Sequence, residues 1–115
     1  MIEMSRKDFE SLVALALDTI PKELADLVDN VVIEVHDWPP PGQHLLGIYK
    51  GIPLTSRGQY YAGALPDQII IYRMPILRIC WTPKQVVDQV RITVVHEVAH
   101  HFGIDDDRLE ELGYG

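Results

Sequence analysis

The segment from residue 83 to 102 constrains the fold most, because it carries strong signals for both ends of one long helix. Thr82 is a good N-cap, Pro83 suits the first helical position, and Gln85 completes a capping box with Thr82. Gly103 is the residue type that commonly ends a helix. Apolar side chains are spread around most of the circumference of this segment, which is about 30 Å long at about 1.5 Å per residue. We therefore predict a helix over 83–102 that is largely buried.

Four ionisable residues lie near the end of this apolar helix: His96, Glu97, His100 and His101. Polar groups buried without partners cost about 2–7 kcal/mol, so we expect these residues to have a binding partner. His96 and His100 lie one turn apart and about 40° apart around the axis, which lets both imidazoles reach one ion. Glu97 projects close enough to hold a water on that ion, whereas His101 lies about 140° from His96 and cannot join the pair. This arrangement is typical of a hydrolytic zinc site.

The motif continues beyond the helix as H-E-x-x-H-x-x-G-x-x-D, which ends at Asp106. Gly103 allows a sharp turn with positive φ, after which the chain can return Asp106 as a third ligand. Other interpretations stay open: the two histidines could be core residues bonded to backbone carbonyls, and Glu97 could belong to an ion pair. Asp106 could instead be favoured only by the N-terminus of a short final helix. We expect Asp105 to cap that helix and Asp107 to be solvated.

Residues 96–109, HEVAHHFGIDDDRL, resemble the zincin metallopeptidases and, more narrowly, the small bacterial minimal zincins, whose chain is little more than a catalytic domain. Residues 68–73 and 75–76 are similar to the strand that precedes the active-site helix in that family. The resemblance extends from about residue 30 onward. It implies a zincin-like α+β fold, in which a small twisted mixed sheet packs on an N-terminal helix and a buried active-site helix. We expect residues 1–115 to form a single domain.

In zincins the two motif histidines bind zinc and the glutamate is the catalytic base, which implies these roles for His96, His100 and Glu97. The longer motif implies Asp106 as the third zinc ligand, where the larger metzincins have a histidine; a carboxylate oxygen is an acceptable zinc ligand. The implied activity is zinc-dependent hydrolysis of a peptide or protein substrate. The alternative is a zinc-binding interaction or scaffold module without useful turnover, because few residues remain to build specificity pockets.

The rest of the chain predicts short elements. Ser5 begins an amphipathic helix over about 6–19, with one or two further turns after Pro21. Residues 76–81 favour neither helix nor strand, and the three prolines within 37–42 predict a rigid surface loop. Runs of β-branched and aromatic residues predict three strands, at 31–35, 46–50 and 68–72.

Two further expectations concern the substrate cleft. We expect strand 68–72 to be an exposed edge strand that aligns an extended peptide by backbone pairing. Tyr60, Tyr61 and Tyr72 are candidates for stabilising an oxyanion, and no sequence signal selects among them. The two remaining histidines lack ligand spacing, so we interpret them as structural residues: His36 and His44.

Composition excludes several classes of function. The 115 residues carry a net charge of −7, and clustered Lys and Arg for binding phosphates are absent, so we expect no nucleic-acid partner. No apolar run approaches the about 20 residues of a membrane span. The short run 12–17 has an acidic leader and does not predict a signal peptide. The single cysteine, Cys80, is expected in the core and fits a cytoplasmic location. The oligomeric state stays open.

Overall fold

The computed structural model of the protein describes residues 1–28, 30–51 and 66–111. These residues form five α-helices, a 3₁₀ turn and three strands: α1 (Arg6–Asp18), α2 (Lys22–Ala25), the 3₁₀ turn (Asp26–Val28), β1 (Val31–His36), β2 (Gly47–Lys50), β3 (Asp67–Tyr72), α3 (Arg73–Ile79), α4 (Pro83–Phe102) and α5 (Asp106–Glu111). Helices and one small mixed sheet confirm the α+β class. Within the described ranges, no helix is both long and apolar enough to cross a membrane.

The ends of α4 agree with the predicted signals. Thr82 Oγ1 accepts a hydrogen bond from the backbone N–H of Gln85 at 3.1 Å. The Gln85 side chain reaches back to the N–H of Trp81 at 2.7 Å, one residue before the N-cap. Gly103 ends the helix in the left-handed conformation, with φ 70° and ψ 28°. The predicted bounds of the long helix are therefore confirmed.

The sheet has the strand order β1-β3-β2, with β1 parallel and β2 antiparallel to β3. The expectation that residues 68–72 form an edge strand is wrong, because β3 is paired on both sides. The physical reason lies in its side chains. Ile69, Ile70 and Ile71 are all buried, and a continuous apolar run is typical of a strand covered on both faces. Among the described residues, β2 and β1 are the outer strands.

The core lies between α1, α4 and the sheet. α1 packs on α4, and α4 in turn contacts β2 and β3. Ser5 Oγ accepts from the N–H of Asp8 at 3.1 Å and so begins α1 at the predicted position. Cys80 is 3% exposed, and burial raises the pKa of its thiol, which confirms it as a core residue. Fully buried apolar side chains fill this core, among them Phe9, Ile69, Ile71, Ile76, Val86, Val90, Val94 and Val98.

Residues that favoured neither helix nor strand form most of α3. Pro75 is the third residue of this helix, where the missing N–H breaks no intrahelical hydrogen bond. Arg73 Nε donates to Asp37 Oδ1 at 2.9 Å, and the N–H of Met74 donates to the Asp37 carbonyl at 3.0 Å. The hydrogen bond from Arg73 lowers the pKa of the Asp37 carboxyl. Asp37, the first residue of the proline loop, thus anchors the loop to the first two residues of α3.

Gly47 sets how closely β2 approaches α4. A Cβ at this position would lie 2.7 Å from Thr93 Cγ2 and 3.0 Å from the backbone oxygen of Ile70. The first distance is shorter than real Cβ contacts, the second is tighter than nine in ten of them, and Thr93 is itself buried. Only glycine therefore lets the strand pack against the helix at this distance.

The close approach at Gly47 predicts the effect of a single methyl group. Gly47→Ala should lower the free energy of unfolding by about 1–3 kcal/mol, the usual cost of overpacking. Urea denaturation measures this change. Thr93→Ser removes the Cγ2 atom, so the double variant should recover part of the loss. A wild-type midpoint for Gly47→Ala would contradict the contact.

Candidate metal centre and catalytic cleft

His96 and His100 lie one turn apart on α4 and form the pair that the motif predicts. Their ring centroids are 6.4 Å apart and the two ring planes are inclined by 80°. His96 is half-buried and His100 is exposed. Two imidazoles on the same side of one helix are suitable ligands for a zinc ion, which prefers nitrogen, sulfur and carboxylate oxygen. The pair therefore fits half of a zinc site by position and by chemistry.

His96 and Glu97 line a cavity of about 250 Å³ between α4 and the beginning of β2. We call it the His96 cavity. One wall comes from α4, with Gln89, Ile92 and Thr93; the other comes from residues 44–47. His96 and Glu97 thus face a space that a small segment of peptide can enter. They do not point into the packed core.

Glu97 contacts the outer edge of β2. The backbone N–H of Tyr49 donates to Glu97 Oε2 at 3.3 Å. The Leu46 carbonyl accepts a hydrogen bond from the N–H of Tyr72 on β3 at 2.9 Å. Backbone N–H and C=O groups alternate in direction along an antiparallel strand. Those of residues 47 and 49 therefore point away from β3 and toward α4. No ion pair within the described ranges involves Glu97. The interpretation of Glu97 as a member of an ion pair therefore gains no support.

Tyr49 is held by two further residues, and we call the three together the Tyr49 cluster: Tyr49, Asp67 and His101. The rings of Tyr49 and His101 are stacked, with centroids 3.8 Å apart and planes inclined by 19°. The Tyr49 hydroxyl donates to Asp67 Oδ2 at 2.8 Å, and His101 Nε2 lies 3.9 Å from the same oxygen. His101 thus lies away from the histidine pair, as its position on the helix predicts. It contributes to holding β2 beside Glu97.

Asp106 is the first residue of α5 and is exposed. In the described part of the chain, no group of three His, Cys, Asp or Glu side chains is close enough to hold a metal. The structure therefore brings the two histidines together and leaves Asp106 apart from them, so its role as a ligand stays a prediction. Asp105 Oδ1 accepts from the N–H of Arg108 at 2.8 Å, which confirms the predicted cap of the final helix. Asp107 is exposed, as predicted.

Two other candidates, His44 and Tyr72, lie at positions that the sequence did not predict. The sequence predicts a structural role for His44, yet this residue lines the His96 cavity together with His96 and Glu97. No spacing in the sequence could reveal this, because the contact depends on β2 lying against α4. Tyr72 is 3% exposed, and burial raises the pKa of its hydroxyl, so it is a poor candidate for stabilising an oxyanion in an open cleft. Tyr60 and Tyr61 lie outside the described residues.

A helix that carries two histidines and a glutamate beside the outer strand of a mixed sheet is the arrangement of a zincin-type metallopeptidase. The family model for zincin-like metallopeptidases matches residues 28–115, and the chain belongs to that family. A solved structure of a conserved hypothetical protein from Thermus thermophilus is similar in fold, with a TM-score of 0.55 and 22% identity over 95% of this chain and 97% of that chain. No curated protein matches the chain.

The Tyr49 cluster predicts a measurable coupling between two side chains. Hydrogen bonds to charged groups contribute about 1.5–3 kcal/mol, and this one is only partly buried. We expect a double-mutant cycle of Tyr49→Phe and Asp67→Asn to give a coupling of about 1.5 kcal/mol in the free energy of unfolding. Strictly additive effects of the two changes would show that the hydroxyl and the carboxylate do not interact.

Proposed function

We propose that this zincin-like protein is a zinc-dependent peptidase in which Glu97 is the general base. One observation supports this most: Glu97 and His96 face a cavity whose other wall is the beginning of an outer strand. A peptidase needs a base, a metal and a backbone edge for the substrate in one place. The proposed base, one proposed zinc ligand and an outer strand lie together at the contact between β2 and α4, which supports the proposal.

The proposed zinc ligands are His96, His100 and Asp106. Two imidazoles and one carboxylate form a donor set that zinc accepts in catalytic sites, with one position left for water. Bound zinc supplies two effects: it lowers the pKa of a coordinated water and polarises the carbonyl of the substrate. His96 is half-buried and lines the cavity, so its imidazole is accessible to an ion that enters there.

Glu97 would accept a proton from the attacking water and deliver it to the leaving amine. Its Oε2 is held by the N–H of Tyr49, which orients the carboxylate at the edge of the cavity. The other oxygen, Oε1, is the atom that we assign to proton transfer. The Tyr49 cluster fixes the tyrosine, so the base is positioned by the fold and not by a flexible loop.

The substrate would lie along β2, not along β3 as the sequence alone predicts. Among the described residues β2 has one strand neighbour, and the polar backbone groups of Gly47 face the side of the His96 cavity. An extended peptide can add to such an edge through main-chain hydrogen bonds. The amide of Tyr49 is used by Glu97, so pairing is assigned to the N–H and the carbonyl of Gly47.

The alternative function is a zinc-binding interaction module without useful turnover. The observation that favours it is the position of Asp106, which the described fold leaves apart from the two histidines. A metal site with two strong ligands can organise a surface without supporting hydrolysis. Both functions include zinc, so measurements of bound metal do not distinguish between them.

Single-turnover cleavage distinguishes the two functions. Zinc-loaded wild-type protein in excess over a diverse peptide library should cleave a subset of peptides, as followed by mass spectrometry. Glu97→Gln keeps the shape of the side chain and removes the base, and it should slow cleavage by about 10²–10⁴-fold, the usual contribution of general base catalysis. His36→Ala, an exposed histidine outside the cleft, is the matched control and should cleave normally. Equal rates for wild type and Glu97→Gln would rule out the peptidase.

Zinc affinity tests the third ligand. Loss of a residue that only supports a metal ligand weakens metal affinity by about 10–100-fold. Asp106→Asn would remove a ligand itself and should weaken zinc binding by more than that. Asp107→Asn changes the next exposed carboxylate in the same helix and should leave zinc affinity unchanged. Competition with a chromogenic chelator measures both. Equal affinities for the two variants would remove Asp106 from the ligand set.

A further inference from the structure

A second cavity, of about 220 Å³, lies next to the His96 cavity. We call it the Trp38 groove, and its apolar lining includes Trp38, Leu45 and Ile79. Trp38 is 52% and Ile79 is 53% exposed, so the groove is open to solvent. Pockets for small molecules usually measure about 300–1,000 Å³, which makes this one better suited to a single large side chain.

Arg78 gives the groove its charge. Its guanidinium carbon lies 5.3 Å from the centre of the Trp38 ring, within the range of a cation–π contact. Within the described ranges no carboxylate forms an ion pair with Arg78, whereas Arg6, Arg73, Arg91 and Arg108 all have acidic partners. The chain carries a net charge of −7, so a cation without a carboxylate partner beside an apolar groove is a local exception. Such a site favours a ligand that is apolar and carries a carboxylate.

The groove is held in place before any ligand binds. Asp37, the residue before Trp38, accepts from the Arg73 side chain at 2.9 Å and from the N–H of Met74 at 3.0 Å. These contacts fix the beginning of the proline loop against α3, the helix that also carries Arg78. A site whose parts are already ordered loses less conformational entropy when it binds.

The groove is continuous with the proposed catalytic cleft. Residues 44–46 line both cavities. From Tyr49, whose amide contacts Glu97, back to Gly47 at the beginning of β2 is about 7 Å at about 3.4 Å per residue of strand, and Leu46 is the next residue. If a peptide pairs along β2 with its cleaved bond beside Glu97, the side chain of the peptide residue about three positions from that bond therefore lies at the groove.

We propose that the Trp38 groove is a specificity site that binds a large apolar side chain of the substrate peptide, with a neighbouring carboxylate paired to Arg78. The inference rests on the proposed function, because a peptide aligned along β2 is what connects the groove to the cleft. It names the substrate class: peptides in which an apolar residue and an acidic group lie together, about three residues from the cleaved bond.

Peptide binding to the Glu97→Gln variant of the 115-residue chain tests this without turnover. The probes are three blocked octapeptides of alanine and glycine that differ at one central pair, which is Phe-Glu, Phe-Lys or Ala-Glu. We expect the Phe-Glu peptide to bind about tenfold more tightly than either of the others. In ¹H–¹⁵N NMR titrations it should shift the indole N–H signal of Trp38 and leave that of Trp81, which is 73% exposed and outside the groove lining.

Matched variants assign the two preferences. Arg78→Gln should abolish the preference for Glu over Lys, and Trp38→Ala the preference for Phe over Ala. Lys7→Gln and Trp81→Ala, which change a cation and a tryptophan outside the groove, should keep both preferences. Equal or undetectable binding of all three peptides, or preferences that survive in Arg78→Gln and Trp38→Ala, would overturn the proposal.

The results distinguish a failure of the groove proposal from a failure of the proposed peptidase function. If the groove is correct and the protein is not a peptidase, the binding preferences appear and wild-type protein cleaves none of the peptides. If the protein is a peptidase and the groove is not a specificity site, library peptides are cleaved with no preference for an apolar and acidic pair.

Discussion

The contact between β2 and α4 is the constraint on which the candidate site depends. Gly47 allows it, because any side chain at that position would collide with Thr93 and crowd the backbone of β3. The same contact brings the N–H of Tyr49 to Glu97. It also forms the two walls of the His96 cavity. One close approach of a strand to a helix thus supplies the partner of the proposed base, the space for a substrate and the edge along which a peptide can pair.

The polar residues of α4 are arranged so that their burial costs little. Val94, Val95, Val98 and Ala99 surround them and are buried, yet His96 and Glu97 are only half-buried at the mouth of a cavity. A carboxylate in such a place needs a hydrogen-bond donor, and a main-chain amide on the outer edge of a strand is a donor with no side-chain entropy to lose. The Tyr49 cluster also fixes that strand, through the stacked ring of His101 on α4 and a hydrogen bond to Asp67 on β3. Polar burial and the orientation of the proposed base are therefore achieved by the same contacts.

The sequence predicted what is local and missed what is not. Caps and breakers determine where α4 begins and ends, so Thr82 and Gly103 defined its bounds correctly. Strand order depends on which segments pair with the two edges of a strand, and these segments are distant in sequence. The apolar run Ile69–Ile71 indicates a strand that is covered on both faces, but the pairing of β3 with β1 and β2 is what identifies it as central. His44 was missed for the same reason, because its place in the cavity follows from the packing of β2.

The position of Asp106 depends on the relative free energies of helix packing and zinc binding. α5 is held to α2 by the ion pair of Arg108 with Glu23, and both side chains are exposed, so water screens the attraction and it contributes little. Leu109 is buried and anchors the helix more firmly, at about 1.5–3 kcal/mol. A structural zinc site binds its ion with about 10–16 kcal/mol, shared among its ligands. The share of one ligand is comparable to or larger than the anchoring of α5. Gly103, in the left-handed conformation between the two helices, is where a rotation of α5 toward the histidine pair is least costly. In the proposed site, the affinity of zinc for a third ligand, the carboxylate of Asp106, would therefore be large enough to compete with the packing of Leu109.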